Sequence, residues 1–427
     1  MTARDIAKVV VLGANGAMGA ASGALFAAAG IPTTLLARDG DRAAAGKARA
    51  AKILGSEALL ASGTYAELAH ELADADLIFE ALAEDLTVKG AMFERLEALR
   101  RPGTVVATVS SGLSIAAMCS GRSVELRRHF LGIHLFNPPK AMLGCELVPH
   151  AETDPDVVAR IAELLRDRLG RRLVVTRDTP AFCANRVGFK LLNECAQLAE
   201  ARGTVAVDTW FGWHTGRALP PLATIDFVGW DVHRAIVDNL CRSTMLARAS
   251  FVLPGYMERL IARGQLGNKT PERGGFYRRL GADRKAPRAV LDPATGEHLA
   301  PVVVIPDVVA KMQELHLAGR HRDAFAVLAA APGDAAIMRR GVLGYVQYGL
   351  ALVGDVVEAV ADVDRIMRFG FGWAPPGMLV DLLGARRAIA LLEGEQLDVP
   401  HALVRAAEHG EPLHDGAPAA IAELFRP

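Results

Sequence analysis

The stretch VVVLGANGAMGAASGALFAAAG, residues 9–30, decides how the N-terminal part of the chain folds. It belongs to an uncharged run that extends as far as Arg38 and is long enough to cross a bilayer. A membrane span or a cleaved signal peptide is the less favoured interpretation, because Asn15 and several glycines interrupt the apolar core that either would need. A short buried strand, a glycine-rich turn and a helix explain more of these residues.

Three glycines form the centre of this pattern. Gly13, Gly16 and Gly19 lie between a β-branched strand predicted at residues 9–12 and a helix predicted at residues 20–29. Glycine permits a tight turn and lets the backbone approach a pyrophosphate, while the helix N-terminus presents unpaired N–H groups to it. We therefore expect a dinucleotide site, although the GxxGxxG spacing is one residue longer than the usual GxGxxG.

The end of the next predicted strand indicates which dinucleotide is bound. An acidic residue there would accept hydrogen bonds from a ribose 2′-hydroxyl group, but Ala37 holds the position and Arg38 follows it. An arginine suits a 2′-phosphate and favours NADP. NAD stays the alternative, with Arg38 lying over the adenine or with Asp39 taking the part of the acid.

Predicted strands and helices alternate as far as a last strand at residues 172–176. This alternation predicts an α/β fold with a Rossmann-like, doubly wound parallel sheet, followed by two mostly α-helical domains. The predicted division is a dinucleotide-binding domain at 1–178, a first helical domain at 179–280, a connector at 281–330 and a second helical domain at 331–427.

The two helical domains share an internal repeat. The motifs of the first copy, Val207-Asp208, Phe211-Gly-Trp213 and Asp226-Phe-Val-Gly229, recur as Val363-Asp364, Phe371-Gly-Trp373 and Asp381-Leu-Leu-Gly384. The two aspartates of each copy have the same separation to within one residue, which indicates duplication of one helical unit. Recurrence through shared helix-packing needs is the alternative.

The composition excludes several classes of partner and site. Lysine plus arginine and aspartate plus glutamate each number 48, so no charge surplus draws the chain to nucleic acid or to an anionic membrane. The five cysteines contain no CxxC pair and no cysteine–histidine cluster with zinc spacing. We expect free thiols in a reducing cytoplasm and no metal site.

Three polar side chains lie where functional groups of such a sheet are expected. Ser111 and His134 come at or just past the carboxyl ends of predicted strands, where ligands bind in doubly wound sheets. Glu146 lies inside a short apolar strand, and a buried carboxylate needs a partner. A satisfied core histidine and a helix-capping serine are the purely structural alternatives.

A series of motifs resembles the L-3-hydroxyacyl-CoA dehydrogenases of fatty-acid β-oxidation. The matching stretches are FEALAEDLTVK (79–89), VSSGL (109–113), GIHLFNPP (132–139), CELV (145–148), DTPAFCANRVG (178–188) and LGNKTPERGGFY (266–277). They follow the family's order over most of residues 8–280, and HxFNP with DTPxFxxNR is the most specific part. The chain is most similar to long forms with a second helical repeat, and it is expected to lack the enoyl-CoA hydratase module that some of them carry.

The resemblance implies a role for each residue that matches these motifs. His134 is implied to be the catalytic base and Glu146 the carboxylate paired with it, while Ser111 and Asn185 are implied to hydrogen-bond the substrate oxygen. Oxidation of a secondary alcohol needs a protein group that takes the proton while the cofactor takes the hydride. A neutral histidine paired with a carboxylate suits that task near pH 7.

Further implied roles concern the cofactor. Glu84 and Lys89 match the pair that lies beside its nicotinamide end. One position departs from the family, because Val109 stands where an asparagine is usual, two residues before Ser111. The departure removes a polar contact near the cofactor or the reacting oxygen, and it bears on the rate and on the substrate class.

The resemblance implies an oxidoreductase that interconverts (3S)-3-hydroxyacyl-CoA and 3-oxoacyl-CoA with NAD or NADP, in fatty-acid metabolism and in the cytoplasm. The expected partner is an acyl-CoA thioester, with no nucleic acid and no membrane. Short members of the family dimerise through their single helical copy, so two copies imply a monomer with an internal pseudo-dimer, or a homodimer. The alternatives are a biosynthetic, NADPH-dependent 3-oxoacyl-thioester reductase, which Arg38 would suit, and a non-catalytic binding protein, which Val109 would suit.

Overall fold

The computed structural model describes residues 5–281, 283, 286, 288–414 and 422–426. The chain divides into two units. The first comprises the described residues up to Phe182 together with Asp355–Val357 and Phe369–Phe371, and the second comprises the other described residues. The sequence-based division at residues 178, 280 and 330 stays a prediction.

An eight-stranded sheet forms the centre of the first unit. Its strands are, in chain order, β1 (Val9–Leu12), β2 (Thr33–Ala37), β3 (Leu60–Thr64), β4 (Leu77–Glu80), β5 (Val105–Thr108), β6 (Phe130–Leu135), β7 (Gly144–Pro149) and β8 (Arg172–Val175). They are arranged in the order β3-β2-β1-β4-β5-β6-β7-β8. The predicted α/β fold with a Rossmann-like sheet is therefore confirmed.

One pairing of this sheet differs from the parallel arrangement that the sequence pattern predicted. Within the described chain, every neighbouring pair is parallel except β6 with β7, which is antiparallel. The reason is the short connection at residues 136–143, which is too short for the crossover that parallel neighbours require.

The sheet has a hydrophobic core on each face. Val9 and Val11 of β1 pack into one core, and Val10 and Leu12 pack into the other, because successive side chains of a strand point to opposite faces. The helices of this unit are α1 (Ala17–Ala28), α2 (Gly40–Leu54), α3 (Leu68–Leu72), α4 (Leu86–Leu99), α5 (Ile115–Cys119), α6 (Val124–Arg128) and α7 (Pro155–Glu163). Helices α1, α2 and α7 contribute to the first core, and α3 to α6 contribute to the second.

The second unit is mainly helical. Its helices are α8 (Ala184–Arg202), α9 (Thr204–Trp210), α10 (Pro221–Val228), α11 (Trp230–Ser243), α12 (Gly255–Ala262), α13 (Asp307–Leu317), α14 (His321–Ala330), α15 (Ala335–Ala351), α16 (Val360–Ile366), α17 (Pro376–Leu383), α18 (Ala385–Gly394) and α19 (His401–His409). A small antiparallel sheet of β9 (Tyr277–Arg279), β10 (Arg288–Asp292) and β11 (Glu297–Leu299) precedes α13. The predicted connector at 281–330 thus contains β10, β11, α13 and α14, while its residues 282, 284, 285 and 287 lie outside the described residues.

The two copies of the helical repeat use matching hydrogen bonds. One aspartate of each copy accepts from two successive backbone N–H groups: Asp226 from Phe276 and Tyr277, and Asp381 from Leu413 and His414. The other aspartate binds the side chain of the second residue of that pair at 2.6 Å: Asp208 the hydroxyl of Tyr277, and Asp364 the ring of His414. These shared partners support the predicted duplication.

The apolar run at residues 9–30 is divided between β1 and α1. Across the part of the chain that the structure describes, no helix is long and apolar enough to cross a membrane. All five cysteines are described and are free thiols, as expected from their spacing.

Candidate active site

The glycine-rich turn lies between β1 and α1, as predicted. Gly13 has a φ of +82°, and a Cβ atom there would come within 2.3 Å of the carbonyl oxygen of Ala81. A Cβ atom at Gly19 would come within 2.2 Å of the Gly13 carbonyl oxygen. These two positions therefore admit only glycine without a shift of the backbone.

The N-terminus of α1 fits the phosphates of a dinucleotide. Gly16 is its N-cap, no described side chain caps this helix end, and the first turn contains no acidic residue. The first N–H groups of α1 and the positive end of its dipole are therefore available to an anion.

Arg38 is exposed at the end of β2 and forms no hydrogen bond or ion pair with a described residue. Asp39, the acidic alternative, is the N-cap of α2 and accepts a hydrogen bond from the backbone N–H of Arg42 at 2.9 Å. That bond, together with the Arg42 guanidinium, lowers the pKa of Asp39. Asp39 thus already has a structural task, whereas Arg38 is available to a ligand.

His134 and Glu146 form a buried hydrogen-bonded pair. They lie directly opposite each other in the register of β6 and β7, and 2.6 Å separates His134 Nδ1 from Glu146 Oε2. The two residues are only 3% and 0% exposed. A carboxylate on Nδ1 selects the tautomer in which Nε2 accepts a proton. The rings of Phe136 and Phe182 pack against the imidazole, with centroids at 4.7 Å and 5.6 Å.

Glu84 organises the turn that carries Ser111, just beyond β5. Its Oε1 atom accepts hydrogen bonds from the Ser110 hydroxyl and from the backbone N–H of Ser111, the latter at 2.9 Å. Its Oε2 atom lies 3.6 Å from the Nζ atom of Lys89. The structure therefore brings together three of the residues predicted for the site, Glu84, Lys89 and Ser111.

The strongest partner of Lys89 is Glu80, which sequence reasoning did not single out. The Nζ atom of Lys89 donates to both carboxylate oxygens of Glu80, at 2.7 Å and 2.8 Å. The Thr108 hydroxyl also donates to Glu80, at 2.6 Å. A glutamate at the end of an apolar strand was the available indication, since a buried carboxylate needs a partner.

A second residue that sequence reasoning did not single out is Asp178. Its carboxylate accepts hydrogen bonds from the Ser114 hydroxyl at 2.9 Å and from the N–H groups of Ile115 and Ala116, at 2.9 Å and 2.8 Å. These bonds tie the start of α5, directly after the Ser111 turn, to the segment that follows β8. Asp178 belongs to the DTPAFCANRVG motif, but the motif alone does not name this partner.

Two residues predicted from the resemblance have other surroundings. Asn185 belongs to the second unit, where it lies buried in the first turn of α8, so its role toward the substrate oxygen stays a prediction. Val109 packs into a hydrophobic core of the first unit, and its N–H donates to the Glu80 carbonyl oxygen. The departure from asparagine is therefore accommodated as an apolar core residue.

The cysteines of this unit are not placed to act as nucleophiles. Cys145 precedes Glu146 and is fully buried, and burial raises the pKa of its thiol. Burial likewise raises the pKa of Cys119 to about 11. Both stay neutral thiols at physiological pH and are poor nucleophiles. No group of three or more potential ligands among the described residues is arranged to hold a metal ion.

A glycine-rich turn before a helix N-terminus and a histidine–carboxylate pair on the same doubly wound sheet are typical of NAD(P)-dependent dehydrogenases, and they indicate this class of oxidoreductase. Residues 8–179 match the family model of the 3-hydroxyacyl-CoA dehydrogenase NAD binding domain, and residues 182–279 match that of the C-terminal domain. A probable 3-hydroxyacyl-CoA dehydrogenase of Deinococcus radiodurans is 32% identical over 301 residues, which are 66% of this chain and 86% of the relative. The chain belongs to the 3-hydroxyacyl-CoA dehydrogenase family, and the predicted resemblance is confirmed.

Two further relatives describe how far the similarity extends. A probable 3-hydroxyacyl-CoA dehydrogenase of Bacillus subtilis is 28% identical over 346 residues, or 79% of this chain, but the match spans only 42% of that relative. The crystal structure of 3-hydroxybutyryl-CoA dehydrogenase from Escherichia coli covers 99% of both chains with a TM-score of 0.67 and 20% identity. The latter likeness shows that the two chains share a fold over nearly their whole length.

Proposed function

We propose that this chain interconverts (3S)-3-hydroxyacyl-CoA and 3-oxoacyl-CoA thioesters by hydride transfer to NAD(P), as in fatty-acid β-oxidation. The observation that carries the proposal is the 2.6 Å hydrogen bond between His134 and Glu146 inside the sheet. The relatives support the substrate class, because they are named as dehydrogenases of 3-hydroxyacyl-CoA. Their names also favour this reaction over a biosynthetic reductase or a non-catalytic protein.

His134 takes the proton of the substrate hydroxyl group on Nε2. Its Nδ1–H group donates to Glu146, so the ring is held in the tautomer whose Nε2 is an acceptor. After the transfer, the Glu146 carboxylate stabilises the imidazolium, and the same proton returns in the reverse reaction. Such general base catalysis contributes about 10²–10⁴ to the rate. When the cofactor is bound, its nicotinamide ring supplies the hydride acceptor.

The other predicted residues bind and orient. Ser111 donates a hydrogen bond to the reacting oxygen, and Glu84 holds the backbone of that turn in place. Lys89 and Glu84 would hold the nicotinamide end of the cofactor, and the charge of Lys89 is balanced by Glu80 and Glu84. A thioester of CoA is the proposed partner, and the free thiols favour a reducing cytoplasm.

The same proposal assigns NADP as the preferred cofactor. The first N–H groups of α1, directly after Gly16, would bind the pyrophosphate, and Gly13 and Gly19 would let the backbone approach it. Arg38 binds the 2′-phosphate, which is supported by its exposure at the end of β2 and by the engagement of Asp39 with Arg42.

The test is reduction of acetoacetyl-CoA by the full chain with NADPH and with NADH, followed by the absorbance of the reduced cofactor. We expect turnover with a preference for NADPH, and we expect H134Q to lower kcat by about 10²–10⁴ while cofactor binding is retained. The control is H70Q, because the His70 side chain belongs to the same unit and is 86% exposed. No turnover of short-, medium- or long-chain 3-oxoacyl-CoA, or unchanged turnover in H134Q, would contradict the proposed activity, and a preference for NADH would contradict only the cofactor assignment.

A further inference from the structure

Three residues of the second helical copy belong to the first unit, and we call them the FGF segment: Phe369, Gly370 and Phe371. They end a π-helical turn at Met367–Phe371 that directly follows α16. In the first copy two residues separate Asp208 from Phe211, whereas six residues separate Asp364 from Phe371. The second copy thus has extra residues at this point, and π-helical turns of this kind are frequent at functional sites.

The FGF segment packs on the aromatic ring that supports His134. A Cβ atom at Gly370 would come within 2.8 Å of the Cζ atom of Phe136, so the Gly370 backbone lies directly against that ring. The ring of Phe371 meets Phe136 edge-on, with 6.2 Å between their centroids. The ring of Phe136 lies 4.7 Å from the imidazole of His134. The ring of Phe136 therefore contacts both the FGF segment and the imidazole of His134.

The same segment lies against the strand that carries Glu146. A Cβ atom at Gly144 would come within 2.6 Å of the Gly370 backbone nitrogen, so two glycines meet here. Gly144 begins β7 and stands two residues before Glu146. The guanidinium of Arg172, the β8 residue paired with Gly144, lies 5.4 Å from the centroid of the Phe369 ring. Aromatic contacts of Phe369 with Arg172 and of Phe371 with Phe136 thus flank the meeting point of the two glycines.

We propose that the FGF segment is a positioning element for the His134–Glu146 pair and acts through Phe136. Held between Gly370 and the imidazole, the Phe136 ring restricts the ring orientation of His134 and keeps its Nε2 atom directed at the substrate. The catalytic consequence rests on the proposed function, whereas the effect on the His134 ring does not.

The first copy of the repeat has no such contact among the described residues. Its equivalent phenylalanine, Phe211, is 2% exposed and lies in the second unit. There a Cβ atom at Gly341 of α15 would come within 2.5 Å of the Phe211 ring. The same motif therefore serves the helical core in one copy and the histidine in the other.

The direct test is G370A in the full chain. Gly370 lacks a positive φ, and the nearest atoms that an added Cβ would meet belong to the Phe136 ring. The matched control is G394A of α18 in the same copy, where a Cβ atom would meet nothing within 4 Å. For acetoacetyl-CoA reduction we expect kcat to fall at least ~10-fold in G370A, with the KM for the reduced cofactor unchanged and with G394A like the wild type.

A second measurement separates this proposal from the proposed function. The imidazole resonances of His134 are recorded by NMR in the wild type, G370A, F371A and F371L at one pH, and they are assigned by their absence in H134Q. We expect these resonances to shift in G370A and F371A, because the Phe136 ring that packs on the imidazole is displaced, and to return toward the wild-type position in F371L, which refills the space that F371A leaves. F371A serves as the test if G370A does not fold. Unchanged His134 resonances and unchanged kcat in folded G370A and F371A would overturn the proposal. Shifted His134 resonances in G370A or F371A, together with a wild type that lacks turnover, would sustain it and refute the proposed function instead.

Discussion

At the scale of single residues, Lys89 shows how a charge is kept inside the sheet. Its side chain is 1% exposed and donates to both oxygens of Glu80, which is itself fully buried. Removal of one partner of a buried ion pair typically costs about 3–5 kcal/mol, because the other charge is left uncompensated. Lys89 is therefore constrained by folding as well as by any contact with the cofactor, and its loss would lower stability and binding together.

Arg38 permits a cleaner test, because it is exposed and has no structural partner among the described residues. We expect R38D to raise the KM for NADPH by about 10–100-fold, since a charged hydrogen bond worth about 1.5–3 kcal/mol is lost and repulsion replaces it. The KM for NADH should fall or stay the same, because an acid can accept the ribose hydroxyl. The control is K52D in the exposed last turn of α2, and equal NADPH KM values for R38D and the wild type would contradict the assignment.

The residues that sequence reasoning identified differ in kind from those it overlooked. His134 and Glu146 stood out because a titratable side chain in an apolar strand is unusual. Tyr65 and Asp178 did not, since their tasks depend on distant backbone groups. The Tyr65 hydroxyl accepts the N–H of Gly13 across 52 positions, and Asp178 accepts from a hydroxyl 64 positions away. No local pattern names such a partner.

At the scale of elements, strands were easier to predict than helix ends or strand direction. The strand predicted at residues 9–12 is β1, whereas the helix predicted at 20–29 is Ala17–Ala28 and begins directly after its glycine cap. Gly19 and Gly23 lie inside α1, because close packing there outweighs their low helix propensity. The predicted parallel direction was wrong for the pairing of β6 with β7, since a strand buried on both faces has the same pattern whichever way it runs.

Gly19 gives the prediction that belongs to this scale. In G19A the new Cβ atom would lie 2.2 Å from the Gly13 carbonyl oxygen, so α1 must move away from the turn. We expect a loss of stability of about 1–3 kcal/mol and at least ~10-fold weaker NADPH binding, measured by denaturant unfolding and fluorescence titration. The control is G90A of α4, where a Cβ atom meets nothing within 4 Å and where stability should rise by up to about 1 kcal/mol. Equal NADPH affinity in G19A and the wild type would refute the account of the turn.

At the scale of the whole molecule, the repeat was predictable because its aspartates survive in both copies. The partners of Asp208 and Asp226 in the first copy occupy positions equivalent to the partners of Asp364 and Asp381 in the second copy. The equivalence of Tyr277 with His414 was not predictable, because their surrounding sequences share no motif. The same contact with an aspartate is thus made by a tyrosine hydroxyl in the first copy and by a histidine ring in the second.

Buried histidines give the second unit a dependence on pH. Burial, and then the neighbouring His321, lower the pKa of His316 to about 3. Its Nδ1 atom lies 2.8 Å from that of His321, and its Nε2 atom lies 3.0 Å from the carbonyl oxygen of His214. A histidine in the unfolded chain has a pKa of about 6.5. Between about pH 6.5 and the lower pKa of His316 in the folded state, the unfolded chain therefore binds one proton more than the folded chain. The free energy of unfolding therefore falls as the pH falls below about 6.5, by up to about 1.4 kcal/mol per pH unit.

We expect H316Q to lose less stability than the wild type between about pH 7 and pH 5, because glutamine keeps a donor for the His214 carbonyl but binds no proton. The measurement is the thermal unfolding midpoint of both proteins across this range. H409Q, at an exposed histidine, serves as the control and should follow the wild type. A constant difference in midpoint between H316Q and the wild type at every pH would show that His316 is not the group responsible.

The antiparallel pairing of β6 with β7 also determines which genetic changes the His134–Glu146 pair can survive. The register of the ladder holds these two residues directly opposite each other. One residue inserted within either strand would instead turn one side chain of the pair to the opposite face of the sheet. The pair therefore excludes single insertions and deletions within β6 and β7, and it constrains the lengths of the two strands as well as the two residues themselves.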